Sequence, residues 1–287
     1  HLRAIAKPLP RRRNRLVVAE LVELRDDAAT VRTADGAMRE LGYDYLLLAS
    51  GTRYPCEPVS ATPAETDLAA RQRRWERAAD ELDAASSVLV LGGGPVGVEL
   101  AAELAAARPG KRLTLATSGG LLCSALPRRV GEACRAWLES HGVELRFHAR
   151  VDSVALAAEG LAAHAKLTTG HTLHADLIYD CRGGAPPNSE ALRAHFGDAL
   201  DERGRVRVGP ELLLVEPSSS SRSSAKAAAH HRAGIFALGD VMVQEPPPPG
   251  PWGPDLKLGH TAELNADAAA HNLRCRIRGE DLKPYPR

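Results

Sequence analysis

The sequence predicts an α/β fold with a parallel or mixed sheet, on three observations. Residues 88–104, VLVLGGGPVGVELAAEL, run from four apolar residues through Gly92-x-Gly94-x-x-Gly97 into an alanine-rich helical pattern. Residues 112–117 follow as a second short strand, closing a strand-helix-strand unit of about 30 residues. Residues 45–49, within YDYLLLASG, are apolar on both faces, the pattern of a strand covered on both sides.

The other elements are read in chain order. The opening HLRAIAKPLPRRRNR shows no initiator methionine and no signal or transit pattern, and it reads as the middle of a longer product. LVVAELVEL, residues 16–24, and the segment around Val31 are expected to pair as strands across a turn at Asp26-Asp27, with a second turn at Asp35-Gly36. Residues 63–86, rich in Ala, Arg and Glu, predict an exposed helix. Beyond the glycine motif, Pro127 near its start and Gly142 at its end bracket another helix. On it Val130, Cys134, Trp137 and Leu138 fall at i, i+4, i+7 and i+8, one buried face. VELRFHARV is a strand, and AHAKLTTGHTLHADLIYDC a strand pair joined through Gly170. PSSSSRSSAKAAAHHR (217–232) and QEPPPPGPWGP (244–254) are expected to be flexible surface insertions, with the short strand IFALGD (235–240) between them.

Composition narrows the class. The 287 residues suffice for two domains, and 44% hydrophobic with 25% charged residues is a globular balance. A net charge of +1 gives no reason for a polyanionic partner, and the run Arg11-Arg12-Arg13-Asn14-Arg15 reads as a solvated loop, so nucleic acid is not expected. No apolar stretch reaches the roughly 18 residues of a membrane span. Five cysteines, an odd number without a Cys-x-x-Cys pair, predict reduced, isolated thiols in an intracellular protein, cytoplasmic or membrane-associated, and argue against a dithiol active site.

Each glycine of the motif has its own task. Gly92 makes the turn out of the strand, Gly94 lets a pyrophosphate approach the backbone, and Gly97 lets the helix pack against the sheet. The free N-H groups of the helix N-terminus then face the phosphates, so a Rossmann-like dinucleotide site is expected. An acid at the end of the second strand accepts from a ribose 2′-OH and repels a 2′-phosphate. Here that end reads Leu115-Ala116-Thr117-Ser118, with Arg128 and Arg129 shortly after, so either nicotinamide nucleotide is expected, NADPH included.

Taken together in order, YDYLLLASG, VLVLGGGPVGVELAAEL, IFALGD and the alanine-rich terminal helix resemble the two-dinucleotide-binding-domain flavoproteins, and within them the apoptosis-inducing-factor homologues. The resemblance spans nearly the whole chain outside the two insertions. It implies two Rossmann-like domains, an NAD(P)H domain (86–185) inserted into an FAD domain built from 1–85 and 186–287. It also implies the site residues. Gly92, Gly93, Gly94, Pro95, Val96, Gly97, Thr117 and Gly183 hold NAD(P)H, and Glu99, in the first helical turn, is the acid near the nicotinamide. Asp240 accepts from the ribityl or phosphate region of FAD, with Gly239 giving room. Val17 meets the adenine, Ser50-Gly51 forms the turn beside it, and Lys257 lies at the flavin edge. The family's first strand-glycine turn-helix, which cradles the FAD pyrophosphate, has no counterpart ahead of Val17, so the FAD domain is expected to be incomplete at its N-terminal side.

The function implied is an FAD-dependent NAD(P)H oxidoreductase reducing a quinone-type acceptor, with peripheral membrane contact compatible and the oligomeric state open. Two alternatives stand beside it. One is reduction of a small protein or an ascorbate radical by the same chemistry; the other is a redox-inactive nucleotide-binding module. Other residues read as ordinary. His171 and His174 point to opposite faces of a strand, His230-His231 are solvated, Cys181 is a packed thiol, and no metal is expected.

Overall fold

The computed structural model describes residues 15–53, 67–155, 163–183, 186–215, 234–247 and 257–285. The expected insertion at 217–232, most of that at 244–254, and Cys56 lie outside them.

The chain begins with β1 (Ala19–Leu24), β2 (Ala28–Thr33) and β3 (Met38–Gly42), an antiparallel sheet in sequence order. The two acidic turns form as expected, the second through Asp35, whose carboxylate accepts from the Thr33 hydroxyl and the Ala37 N-H, with Gly36 left-handed at φ 81°. The expected strand from Leu16 starts only at Ala19. Ala19 pairs with Thr33, the last residue of β2, so residues 16–18 have no ladder to join and Leu16 stands 90% exposed. β4 (Leu46–Leu48) follows, then α1 (Leu68–Ala84), whose Asp67 carboxylate caps the Ala70 N-H at 2.7 Å.

A four-stranded parallel sheet comes next. Along the chain lie β5 (Ser87–Leu91), α2 (Pro95–Ala107), β6 (Arg112–Ala116), α3 (Arg128–Ser140) and β7 (Glu144–Arg146). An antiparallel sheet of β8 (Val151–Ala155), β9 (Ala163–Leu167) and β10 (Thr172–Ala175) precedes β11 (Leu177–Asp180), and the parallel order is β11-β5-β6-β7. Strand side chains alternate faces, so β5 needs two covers. Val88, Val90, Leu113 and Leu115 pack against the helices. Leu89, Leu91, Ala116 and Ile178 pack against the antiparallel sheet. That is why VLVL is apolar without alternation.

The remaining elements are α4 (Arg193–Phe196), β12 (Val206–Val208), β13 (Ile235–Ala237), β14 (Met242–Gln244) and α5 (Gly259–Arg278). β13 runs parallel to β4, and β12 parallel to β14. One core unites both ends of the chain. Leu24 and Leu48 pack with Phe196, Val206, Ile235, Phe236, Met242 and Ala269. Where the chain leaves and re-enters this half, its two strands are tied together. The Ser50 hydroxyl donates to the Asn188 carbonyl (2.7 Å), Asn188 Nδ2 donates to the Ser50 carbonyl (2.9 Å), and the Arg53 N-H donates to the Pro186 carbonyl (3.0 Å). The α/β class with parallel sheets is the fold expected.

Several local expectations are corrected. The helix expected at 63–86 runs from Leu68 to Ala84 among the described residues. β4 has a single strand partner there, β13, and Leu47 is 37% exposed, so the run 45–49 is not covered on both faces. Trp137 is 40% exposed instead of buried, stacked on His141 at 3.7 Å between centroids, because the core face of α3 narrows to Gly131 and Leu138. VELRFHARV divides into β7 and β8 at a turn around His148. Gln244, placed in an insertion, is buried in β14. Cys123 and Cys134 are not isolated: both sit in the core under α2 and α3, and their thiols interact.

Candidate functional site

The first part of the site is the turn from β5 into α2. Gly92 has φ 114°, and a Cβ there would lie 2.6 Å from the Cys181 carbonyl oxygen. A Cβ at Gly97 would lie 1.9 Å from the Gly92 carbonyl oxygen, so only glycine lets α2 come this close to the strand end. A Cβ at Gly93 would lie 2.7 Å from Thr117 Oγ1, and the Gly93 carbonyl accepts from the Cys123 N-H at 2.7 Å. Gly94 differs from all of these: a Cβ added there meets nothing within 4 Å. It is also the N-cap of α2, with no side-chain cap, and Pro95 has no N-H to offer. Val98 is bonded back to the Gly94 carbonyl (3.0 Å), while the N-H groups of Val96 and Gly97 belong to the uncapped first turn. Open space before an uncapped helix N-terminus is where an anion is favoured.

The other expected residues of this part are placed as follows. Thr117 is buried beneath Gly93, so it supports the turn instead of facing open space. Gly183 is exposed two residues beyond Cys181. Glu99 is exposed on α2, but one turn further along than expected: the helix starts at Pro95, so Glu99 opens the second turn, where the N-terminal dipole has faded. Its charge reaches Cys123. Burial above all, then Cys134, then Glu99, push the Cys123 thiol up to about 11, which leaves it protonated and unreactive near neutral pH.

Asp180 closes β11 beside the Gly92 turn. Burial pushes its carboxyl up, but Arg182 donates Nε to Oδ1 (2.8 Å), Nη2 to Oδ2 (2.7 Å) and its backbone N-H to Oδ1 (3.2 Å), and the net result lies below the ordinary 3.8. A depressed folded-state value stabilises above the unfolded value and is lost as pH falls through the lower one. Urea denaturation at about pH 5 and about pH 3 should therefore show a smaller acid loss for Asp180→Asn than for the parent. Equal losses would mean that the pair contributes nothing.

The second part is a cleft of about 340 Å³ lined by Ala49, Gly51, Leu238, Gly239, Asp240, Lys257, Leu258, Gly259 and Ala262. It brings together four of the expected residues, Gly51, Gly239, Asp240 and Lys257; Val17 and Ser50 are not among its walls. Val17 lies just ahead of β1, and Ser50 is engaged with Asn188. Gly51 (φ 65°) and Gly239 (φ 70°) are left-handed, and Cβ atoms at Gly51 and Gly259 would meet nothing within 4 Å. Lys257 donates from Nζ to the carbonyls of Gly239 (3.0 Å) and Met242 (2.7 Å), which pins the turn carrying Asp240. The Thr52 hydroxyl donates to Asp240 Oδ2 at 3.3 Å.

Thr52 and Asn265 escaped the sequence reading. Asn265 is fully buried, its Oδ1 accepts from the Gly239 N-H (3.2 Å), and its Nδ2 finds no acceptor among the described residues. The available signal was a polar residue four positions from Ala269 on the buried face of α5. Both parts fit a dinucleotide's phosphate-bearing region, since each sets glycines facing open space at the start of a long helix whose N-cap residue gives no side-chain acceptor; at α5 the Thr261 hydroxyl accepts from the Leu258 N-H (3.1 Å).

Comparison with known proteins agrees with this geometry. Residues 10–265 match the pyridine nucleotide-disulphide oxidoreductase family. Fe-regulated protein 8 of Mycosarcoma maydis is 28% identical over 261 residues, covering 86% of this chain and 58% of that protein. Ferroptosis suppressor protein 1 of Xenopus tropicalis is 27% identical over 252 residues, covering 86% and 60%. The chain thus spans somewhat more than half the length of these curated relatives. Among solved structures, the ferredoxin reductase of the CYP199A2 system of Rhodopseudomonas palustris superposes with a TM-score of 0.65 at 22% identity, covering 94% of this chain and 60% of that one. The water-forming NADH oxidase of Lactobacillus brevis, bound to NADH, gives 0.62 at 19% identity, covering 88% and 52%. These two show the fold. FAD and a nicotinamide nucleotide are the cofactors of such oxidoreductases. With its glycine turn and a family match over most of its length, the chain belongs to the pyridine nucleotide-disulphide oxidoreductase family.

Proposed function

We propose that the protein carrying this chain is an FAD-dependent NAD(P)H oxidoreductase that takes hydride from the nicotinamide and delivers electrons to a quinone-type acceptor. The observation that carries the reading is the presence, in one chain, of two long helices, α2 and α5, whose N-cap residues offer no side-chain acceptor and whose N-termini lie beside open glycines. When bound, the flavin and nicotinamide supply the hydride and electron transfer. In this reading residues 86–185 form the nicotinamide-nucleotide domain, and 1–85 with 186–287 the flavin domain.

The residues divide the work. Gly94 admits a pyrophosphate to the α2 N-H groups, while Gly92 and Gly97 hold helix and strand together. Glu99 is the acid beside the nicotinamide, exposed on α2. Gly51 and Gly239 give the second nucleotide room, and Asp240, steadied by Thr52, accepts a hydrogen bond from it. Lys257 keeps the Gly239–Met242 turn closed. The quinone rests on the resemblance given by the sequence. Among the described residues no helix is long and apolar enough to cross a membrane, which leaves the route to such an acceptor open.

The full-length protein, purified, should show a flavin absorbance band and oxidise NADPH with a soluble quinone. Turnover with ferredoxin or an ascorbate radical and none with quinones would sink the acceptor. A full-length protein without flavin would sink the enzyme reading.

A further inference from the structure

We propose that His148 is the receptor for the 2′-phosphate of NADPH, acting with Ser118 on the loop that follows β6. The inference rests on the nicotinamide-nucleotide reading of the α2 terminus and deepens it to a preference between two substrates.

In a strand-helix-strand nucleotide unit, the end of the second strand faces the adenosine ribose, and its charge decides between a 2′-hydroxyl and a 2′-phosphate. Here the strand is β6, which ends at Ala116. Thr117 is turned inward under Gly93, so the exposed loop Ser118-Gly119-Gly120 takes that place. No carboxylate occurs from Ala116 to Leu126. Nothing in the loop repels a phosphate, and the loop itself supplies only a hydroxyl and backbone N-H groups.

The missing donor comes from across the sheet. The turn between β7 and β8 lays His148 on this loop: its N-H donates to the Gly119 carbonyl at 3.2 Å. Its ring rests against Gly120, where an added Cβ would lie 2.9 Å from Cε1 and 3.1 Å from Nε2. A glycine at 120 is therefore needed for the ring to sit there. His148 also holds a left-handed backbone, φ 54°, a conformation uncommon for a residue with a Cβ. The side chain is exposed, and among the described residues no acid or other hydrogen-bonding group engages its ring.

Two nearby arginines, Arg128, which the sequence offers, and Arg146, are less suited. Arg128 donates Nε to Glu132 Oε1 at 2.6 Å, one turn along α3, and its side chain is 84% exposed. Arg146, at the end of β7, is paired with Glu144. Each already has a carboxylate that a phosphate would have to displace. His148 has none, and its imidazole donates an N-H in either protonation state and adds charge when protonated.

The experiment measures dissociation constants of NADPH and NADH for the parent and for His148→Asn and His148→Gly. Both replacements tolerate the left-handed backbone. The expected result is an NADPH constant raised about tenfold, the worth of one charge-assisted hydrogen bond, with the NADH constant within about twofold. Retained NADH binding reports that the fold and the α2 site are intact. Tight NADPH binding unchanged in both variants overturns the assignment, as does a loss of NADPH preference on Arg129→Ala alone. A parent protein that binds neither nucleotide overturns the nucleotide reading itself, and this inference with it.

Discussion

Gly94→Val is expected to abolish nicotinamide-nucleotide binding while leaving the fold standing. Both halves of that expectation come from the same measurement. A Cβ at Gly94 meets no protein atom within 4 Å, and the backbone there, φ −78° and ψ 178°, suits a β-branched residue, so the native packing has no quarrel with the change. The helix loses only the modest advantage of glycine over valine at an N-cap, about 1 kcal/mol or less. The methyl groups instead occupy the open volume before the N-H groups of Val96 and Gly97, which is the volume a pyrophosphate would need. Chemical denaturation and NADPH titration of the same preparation check the two halves separately. Parental NADPH affinity would mean that the turn has been misread as a phosphate site.

Gly97→Ala is expected to do the opposite, damaging the fold first and the site as a consequence. It lies three residues on, and alanine is the smallest addition possible, yet its Cβ would sit 1.9 Å from the Gly92 carbonyl oxygen, with backbone behind it and Cys181 Cβ at 3.4 Å. No rotamer relieves a clash between a Cβ and a carbonyl. Either α2 lifts from the sheet, opening the core that Val98, Ala101 and Leu104 fill, or the Gly92 turn gives way. Overpacking typically costs about 1–3 kcal/mol, and a 1.9 Å approach to backbone puts this change at the upper end. The denaturation midpoint should fall accordingly, and a parental midpoint would show that α2 can slide along the sheet at little cost. Set side by side, the two variants separate a glycine needed for a ligand from a glycine needed for the chain.

The difference between these glycines is legible in the spacing of the motif. Gly92, Gly94 and Gly97 were assigned turn, approach and packing from spacing alone, because strand, turn and helix leave one geometry in which all three are required. Local signals of the same kind were reliable elsewhere: Asp35-Gly36, Gly142 and Gly170 each took a left-handed or turn conformation where the sequence placed one. Apolar pattern was less so. Trp137 and Leu47 belong to apolar runs yet stand partly in solvent, and Gln244 is polar yet buried, because the number of neighbours a strand or helix face acquires is not written in that element.

What the sequence by itself determined is the α/β class and the strand-turn-helix at Gly92–Gly97, both of which rest on contacts within about 30 residues. Tertiary structure alone decided the rest of the site. The Asp240 turn pinned by Lys257 and Asn265, the tie between Ser50 and Asn188, and the seating of His148 on Gly120 each join residues whose neighbours give no hint of the partner. A hydrogen bond spanning 138 residues is set by how both ends of the chain pack into one core, and packing is a property of the whole chain.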